Sequence, residues 1–199
     1  MAYPQVSAPY GLKPVNLVGG LPFAGATRSF KIASGYAADI GNGDLVTIVT
    51  GGTIQKDTGT TTATPVGVFL GCSYTNPATK QKLFSQYWPS GTVASDAVGF
   101  VAEDPNTLYR VAVVSGTTVV AGVSIAVIGS NMSLVQNAVN TNTGDSTVAV
   151  LSTSTAATST LPIRVIDVVP DTATGADSFV ELIVKINMTS HQYLNATGV

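Results

Sequence analysis

The side chains best suited to catalysis or metal binding are scarce in this sequence. Of its 199 residues, one is a histidine, His191, and one is a cysteine, Cys72. Nucleophilic catalysis usually pairs a serine or cysteine with a basic histidine, and no such motif surrounds His191. A zinc site takes three or four histidine or cysteine ligands, so two candidates are too few for one chain. The sequence therefore predicts no catalytic residue, no metal site and no cofactor, and we expect a protein that is not an enzyme.

The acidic residues do not change this expectation. Glycoside hydrolysis needs two carboxylates at a set distance, and Glu103 and Asp104 form the densest acidic spot. This pair directly precedes Pro105, however, and acidic residues before a turn proline are commonly solvated. Cys72 lies within a predicted strand, where we expect it to be a small buried apolar residue rather than a nucleophile.

An aromatic cluster offers recognition chemistry instead. Phe84, Tyr87 and Trp88 all lie within residues 81–88, which read QKLFSQYW. Aromatic rings can stack on sugars, form the centre of a protein interface or fill a core. Aromatic residues of a β-protein most often belong to the core, so core packing is favoured. The alternatives are a subunit interface and a carbohydrate-binding module that stacks a sugar on Tyr87 and Trp88.

Composition excludes several classes of partner. Charged residues make up 10% of the chain, whereas soluble domains average about 25%. With 9 basic and 11 acidic residues the net charge is −2, so no basic patch is available to bind nucleic acid. The longest apolar run, 119–128, is too short to span a membrane. We expect a protein that binds neither nucleic acid nor membrane and whose surface consists of Ser, Thr, Asn and Gln.

Apolar residues that alternate with a period of two predict an all-β fold. Residues 34–75 contain two apolar runs, 45–49 and 66–74, bracketed by Gly/Asn/Asp turns. In the second run, Gly67 and Gly71 indicate the close approach of another backbone or a sharp bend. The pattern in 178–187 predicts a half-buried antiparallel strand with Glu181 and Lys185 facing solvent. No helical periodicity is sustained, so residues 28–199 are predicted to form a single small β-barrel or β-sandwich domain with little helix.

Two further patterns concern the second half of the chain. Strands at 97–102 and 107–114 flank a Pro-Asn turn, which predicts a hairpin, and residues 117–128 read as another strand. Asp145 is the only charged residue in 111–163. Such a region suits a subunit interface, although an ordinary threonine-rich β-surface has the same composition.

The first 27 residues read as an extended arm. Four prolines and four glycines exclude both a helix and a central strand, yet apolar residues recur throughout. The arm is therefore predicted to dock through apolar anchors, either on its own domain or on a neighbouring subunit. The anchors are Tyr3, Tyr10, Leu12, Val15 and Phe23.

Several segments together resemble a known family. They are GLKPVNLVGG, IASGYAADIGNGDLVTIV, TPVGVFLGCSYT and LPIRVIDVVPDTATGADSFVELIVKIN followed by HQY. In their turns and strands, these segments resemble the head decoration, or cement, proteins encoded beside the capsid genes of tailed bacteriophages. The resemblance runs from Gly11 to His191 and is spread over the chain rather than concentrated in one motif.

The resemblance implies a location, partners and a role. The protein would be made in the bacterial cytoplasm and would sit on the outer surface of the virion head, as homotrimers at local three-fold positions. It would bind the major capsid protein where subunits meet and stabilise the shell against the pressure of packaged DNA. The alternatives are another virion component, from the tail or a fibre, and the carbohydrate-binding β-module described above.

Overall fold

The computed structural model describes residues 6–175 and 178–199, and this part of the chain forms strands, short 3₁₀ turns and no α-helix. The prediction of an all-β fold is therefore confirmed. Tyr3 lies outside the described residues. No helix within the described ranges has the length and hydrophobicity needed to cross a bilayer. The strands are β1 (Lys13–Leu17), β2 (Arg28–Ile32), β3 (Leu45–Val49), β4 (Thr53–Lys56), β5 (Gly67–Thr75), β6 (Lys82–Ser85), β7 (Val98–Ala102), β8 (Thr107–Val114), β9 (Asn131–Met132), β10 (Leu134–Val135), β11 (Ala149–Leu151), β12 (Ile163–Val168), β13 (Ala173–Gly175), β14 (Ser178–Phe179) and β15 (Glu181–Ile186).

One sheet curls into a barrel. Its strand order is β3-β4-β2-β7-β5-β6, and β3 also pairs with β5, so the path returns to its first strand. All pairs are antiparallel except β2–β4. Trp88 is fully buried in the barrel, where its ring meets that of Tyr74 edge-on at a centroid distance of 5.4 Å. This geometry is the one that aromatic quadrupoles favour.

The second sheet has the order β10-β11-β8-β15-β12-β9, with β1 paired to the first half of β8. Its core includes residues of the barrel strands, such as Leu45, Val68 and Ala102, together with Tyr109 and Val111 of β8. This core therefore contains residues of both sheets, and we call it the shared core, whereas the barrel interior has an apolar cluster of its own.

The glycines of β5 serve the predicted role of close approach. A Cβ on Gly67 would lie 2.2 Å from the Ala102 carbonyl oxygen, and one on Gly71 would lie 2.9 Å from the Ser85 carbonyl oxygen. A bulge between Phe69 and Gly71 shifts the register of β5 against β7. Past the bulge the strand exchanges its faces, so that Phe69, Cys72 and Tyr74 share the barrel core while Val68 belongs to the core between the sheets.

Two sequence expectations are wrong in detail. The strands flanking 103–106 do not form a hairpin, because β7 pairs within the barrel and β8 within the second sheet. Residues 117–128 do not form one strand. A turn closes when Ser115 N donates to the Val119 carbonyl, and a 3₁₀ turn at Ile125–Val127 follows, with the Ser124 side chain accepting from Ala126 N.

The N-terminal segment is partly incorporated into the sheet. Leu12 is fully buried in the shared core, and Gly11 packs so tightly that a Cβ would lie 2.6 Å from Ser146 Cβ. β1 then pairs with β8, with Lys13 opposite Arg110 and Leu17 opposite Thr107. Residues 11–17 thus dock on their own chain, one of the two arrangements that the sequence left open, whereas most residues from 18 to 29 are exposed.

Candidate interaction surface

The predicted arm anchors have different environments. Leu12 is core, and Phe23 is partly buried against the same core. The Tyr10 hydroxyl donates to the Glu181 carboxylate, and burial together with this hydrogen bond raises the pKa of Tyr10. Val15 is 46% exposed because the β1–β8 register skips it in a bulge between Pro14 and Asn16. Of the described anchors, only Val15 is exposed.

The aromatic cluster is also divided by the fold. Phe84 is 78% exposed on β6, at the edge of the barrel sheet. Tyr87 is half-buried beside Gly144, and Trp88 is fully buried. Because no face of Trp88 meets solvent, the expected sugar-stacking platform of Tyr87 and Trp88 is not formed. An interface built on this segment has Phe84 as its exposed member.

The loop that follows β1 carries exposed aliphatic side chains. β1 turns back on itself as Leu17 N donates to the Leu21 carbonyl at 2.7 Å and Asn16 bridges to Pro22. Gly19 and Gly20 have φ of 93° and 84°, which non-glycine residues rarely adopt. Together with Val15, Val18 (48% exposed) and Leu21 (63% exposed) project from this turn. We call residues 14–22 the apolar hairpin.

The apolar hairpin is uncharged and rests on the body. The chain has no charged residue between Lys13 and Arg28. Val18 N donates to the Asn106 carbonyl at 2.9 Å, which fixes the hairpin beside the turn between β7 and β8. Exposed apolar side chains grouped on an uncharged loop are typical of surfaces that bind protein.

Next to this turn lie two clefts that share Tyr193 as a wall. The first, of about 340 Å³, is lined by Ala26, Thr27, Glu103, Asp104, Pro105 and Tyr193. The second, of about 450 Å³, is lined by Arg28, Ser29, Phe30, Lys31, Ile48, Gly52 and Tyr193. We call them together the Tyr193 groove. The first end carries two acidic residues and the second end two basic ones.

Tyr193, which divides the two clefts of the groove, is held by polar contacts. The Tyr193 hydroxyl donates to Glu103 Oε2 at 2.7 Å, and Arg28 Nη1 lies 3.5 Å from the same oxygen. Burial and the neighbouring Glu103 carboxylate raise the pKa of Tyr193 to about 12. The preceding residue, Gln192, accepts from Ile48 N and donates to the Ile48 carbonyl, both at 2.8 Å. The C-terminal segment is thereby fastened to the barrel.

His191 lies beneath this groove and is fully buried. Tyr193 N donates to its Nδ1 at 3.3 Å, so Nε2 carries the proton and donates to the Glu103 carbonyl at 3.1 Å. Burial lowers the pKa of His191, because an imidazolium would lose hydration. Both ring nitrogens are engaged with the backbone, an arrangement that suits a structural histidine rather than a catalytic base.

The remaining candidates for chemistry are equally enclosed. Cys72 is buried, and desolvation raises the pKa of its thiol to about 12, so the reactive thiolate is strongly disfavoured. In the described ranges, no three His, Cys, Asp or Glu side chains lie close enough together to hold a metal ion.

The polar contacts around a buried carboxylate were not predicted from the sequence. Glu181, expected to face solvent, is buried and forms an ion pair with Arg110 of the neighbouring strand while accepting from Tyr10. Arg110 and Tyr10 are 71 and 171 positions away in sequence, so no local pattern announces them. These contacts join the N-terminal segment to β8 and β15.

The charge-poor region 111–163, predicted to suit a subunit interface, also has exposed apolar residues. Val119, Ile125 and Ile128 are exposed along 115–130, on a stretch without a charged side chain. The geometry thus provides several uncharged contact surfaces and no enclosed reaction site among the described residues.

The chain matches no protein-family model, no curated protein and no solved structure. Its function is therefore inferred from its own residues.

Proposed function

We propose that this protein is a decoration protein that binds the outer surface of a tailed-phage head at capsid subunit junctions and stabilises the shell against internal DNA pressure. Its partners are the major capsid protein and further copies of itself, as a homotrimer. The proposal begins from the resemblance of residues 11–191 to head decoration proteins. The structural observation that best supports it is the uncharged apolar hairpin, which exposes Val15, Val18 and Leu21.

The physical demands on a cement protein agree with this surface. Such a protein needs a stiff body and contact surfaces rather than a reaction site. Burying an exposed aliphatic side chain contributes roughly 1.5–3 kcal/mol, so the three hairpin residues offer a useful but modest contact. Several such contacts acting together in one oligomer make release from the shell slow without any single strong site.

Deleting residues 1–27 is a poor test, because the deletion also removes β1 and the buried Leu12. Loss of binding could then reflect unfolding. The double substitution Val18→Asp/Leu21→Asp changes only exposed side chains and places charge where a partner would exclude water. The matched control is Val93→Asp, which alters an equally exposed apolar residue in a separate cleft beside Lys80 and Asp96.

The experiment mixes each purified protein with undecorated heads of the virus that encodes the chain and measures bound copies by cosedimentation. We expect wild type and Val93→Asp to saturate the heads and Val18→Asp/Leu21→Asp to bind at least about tenfold more weakly. Unchanged affinity of the double variant would show that the hairpin is not the contact.

Immunogold labelling of intact particles tests the location itself. Gold on the head surface is the expected result. Gold confined to the tail or fibres would replace the proposal with a tail component, and absence from the particle would remove it from the virion altogether.

A further inference from the structure

We propose that the Tyr193 groove is a surface through which copies of this chain bind each other, the acidic end of one copy meeting the basic end of the next. The inference adds to the proposed function without resting on it, because it is measured on the free protein in the absence of any shell.

The groove has the distribution of charge that self-association needs. Glu103 and Asp104 line one cleft, and Arg28 and Lys31 line the other, so two negative and two positive residues leave no net charge. Arg28 and Glu103 already pair with each other across the divider at 3.5 Å. Within the described residues, neither Asp104 nor Lys31 takes part in an ion pair. Each end therefore offers one charge that has no ion-pair partner in residues 6–175 and 178–199.

The space between these charges is suited to protein contact. Ala26, Pro105 and Ile48 contribute apolar wall, and Tyr193, which separates the two clefts, is 45% exposed. An apolar centre with charged residues at its rim is the usual anatomy of a specific interface. The clamp of Gln192 on Ile48 holds the divider in place, so little ordering is needed on binding.

A second copy is the occupant that fits this distribution most directly. A foreign protein would have to carry the reversed order of charges independently. Another copy carries this order of charges by identity. A two-fold rotation that brings the two grooves face to face places Asp104 of one copy near Lys31 of the other. The same pairing operates when each copy presents its acidic end to the next around a closed ring.

A charge exchange tests the pairing. Lys31→Glu alone and Asp104→Lys alone each set like charges against each other, whereas Lys31→Glu/Asp104→Lys restores opposite charges in reversed order. Because Asp104 Oδ1 accepts from Asn106 N, the milder Asp104→Asn keeps this oxygen and guards against a loosened turn. Lys80→Glu is the matched control for Lys31→Glu, since it makes the same change of net charge on a different cleft.

Sedimentation velocity of the full chain, over concentrations up to roughly 100 µM, gives the association constant of each variant. We expect wild type and Lys80→Glu to associate equally, each single reversal to weaken association by about tenfold or more, and the exchange to recover most of it. Asp104→Asn should give a smaller loss. Higher salt should weaken wild-type association, because exposed pairs are screened.

Three results overturn the proposal: a wild-type protein that stays monomeric throughout, single reversals that behave like Lys80→Glu, or an exchange that recovers nothing although its circular dichroism is native. Shell binding is not measured here, so each of these results leaves the proposed binding to the capsid to its own test. A wild-type protein that stays monomeric would also contradict the proposed homotrimer, whereas the other two results concern only the Tyr193 groove.

Discussion

The single histidine is held in one tautomer by its surroundings. Nδ1 of His191 accepts from Tyr193 N and Nε2 donates to the Glu103 carbonyl, inside a site that excludes water. A second proton on the ring would oppose the Tyr193 N–H and add an unhydrated charge. Glu103 and Asp104 offset part of this cost, whereas Lys185 adds to it, and burial remains the largest cause of the lowered pKa.

Acid should therefore weaken the fold through His191. In the unfolded chain the imidazole takes up a proton below its ordinary pKa of 6.5, while the folded protein, with its lowered pKa, resists. We expect the free energy of unfolding to be fully retained above pH 6.5 and to decrease as the pH falls below it. Urea titrations between pH 7.5 and 5 measure this slope.

The control for this slope is His191→Gln, which retains hydrogen-bonding groups but does not titrate. The variant is expected to be less stable at pH 7.5 and to show a shallower decrease on acidification. Equal slopes in the two proteins would assign the acid sensitivity to other groups.

The burial of a single residue could be predicted from the sequence only where its neighbours along the chain determine it. Cys72 follows from its place in an apolar strand. The burial of Trp88 agrees with the favoured core role of its aromatic cluster, although Phe84 of the same cluster is exposed. The burial of Glu181 does not follow from the sequence, because its environment is set by Arg110 and Tyr10 elsewhere in the chain. Strand periodicity assigns a face to a residue, but it does not say whether that face meets water or a third element.

At the level of elements, the N-terminal segment is held to the second sheet by the buried Leu12 and by the pairing of β1 with β8. Its ladder to β8 is interrupted by the bulge at Val15, and Leu12, just before the strand, fills the shared core. Residues 11–17 thus hold the N-terminal segment to the body, whereas Val18 and Leu21 at the tip of the hairpin are exposed.

Leu12→Ala should accordingly destabilise the protein by about 2–5 kcal/mol, since it leaves a cavity in a core that is fully enclosed. Val15→Ala, made three residues away on an exposed side chain, should change stability by less than about 0.5 kcal/mol. Chemical denaturation of both variants measures the contrast. Similar small losses for the two would mean that the segment is not docked as described.

The sequence predicts most strands as elements but not how they pair. The alternation of residues 66–74 identifies β5, yet the bulge between Phe69 and Gly71 depends on its partner β7 and exchanges the faces beyond it. The failed hairpin around 103–106 has the same origin. A short turn between two strands usually joins neighbours, whereas here it carries the chain from the barrel to the second sheet.

For the whole molecule, the crossing at 103–106 joins the two sheets into one body. Tyr109 of β8 donates its hydroxyl to the Ala102 carbonyl of β7 at 3.2 Å, and barrel residues Leu45 and Val68 belong to the core of the second sheet. Neither sheet can lose its packing without exposing apolar surface of the other. The described fold should therefore behave as one cooperative unit.

Two probes test this cooperativity. The fluorescence of Trp88, the only tryptophan, reports the barrel interior, and far-UV circular dichroism reports both sheets. We expect the two urea transitions to coincide in midpoint and slope. A dichroism curve with a second step absent from the fluorescence would show that the sheets unfold independently.

The buried thiol of Cys72 can report how often the barrel opens. As the sole cysteine, it reacts with a maleimide only during the moments when the barrel opens, and its high pKa keeps the closed form inert. The rate of maleimide labelling thus measures the frequency of this opening. A partner that binds only the closed barrel lowers the frequency of opening. A slower labelling rate in a bound state than in the free protein would therefore measure how much binding stabilises the closed barrel.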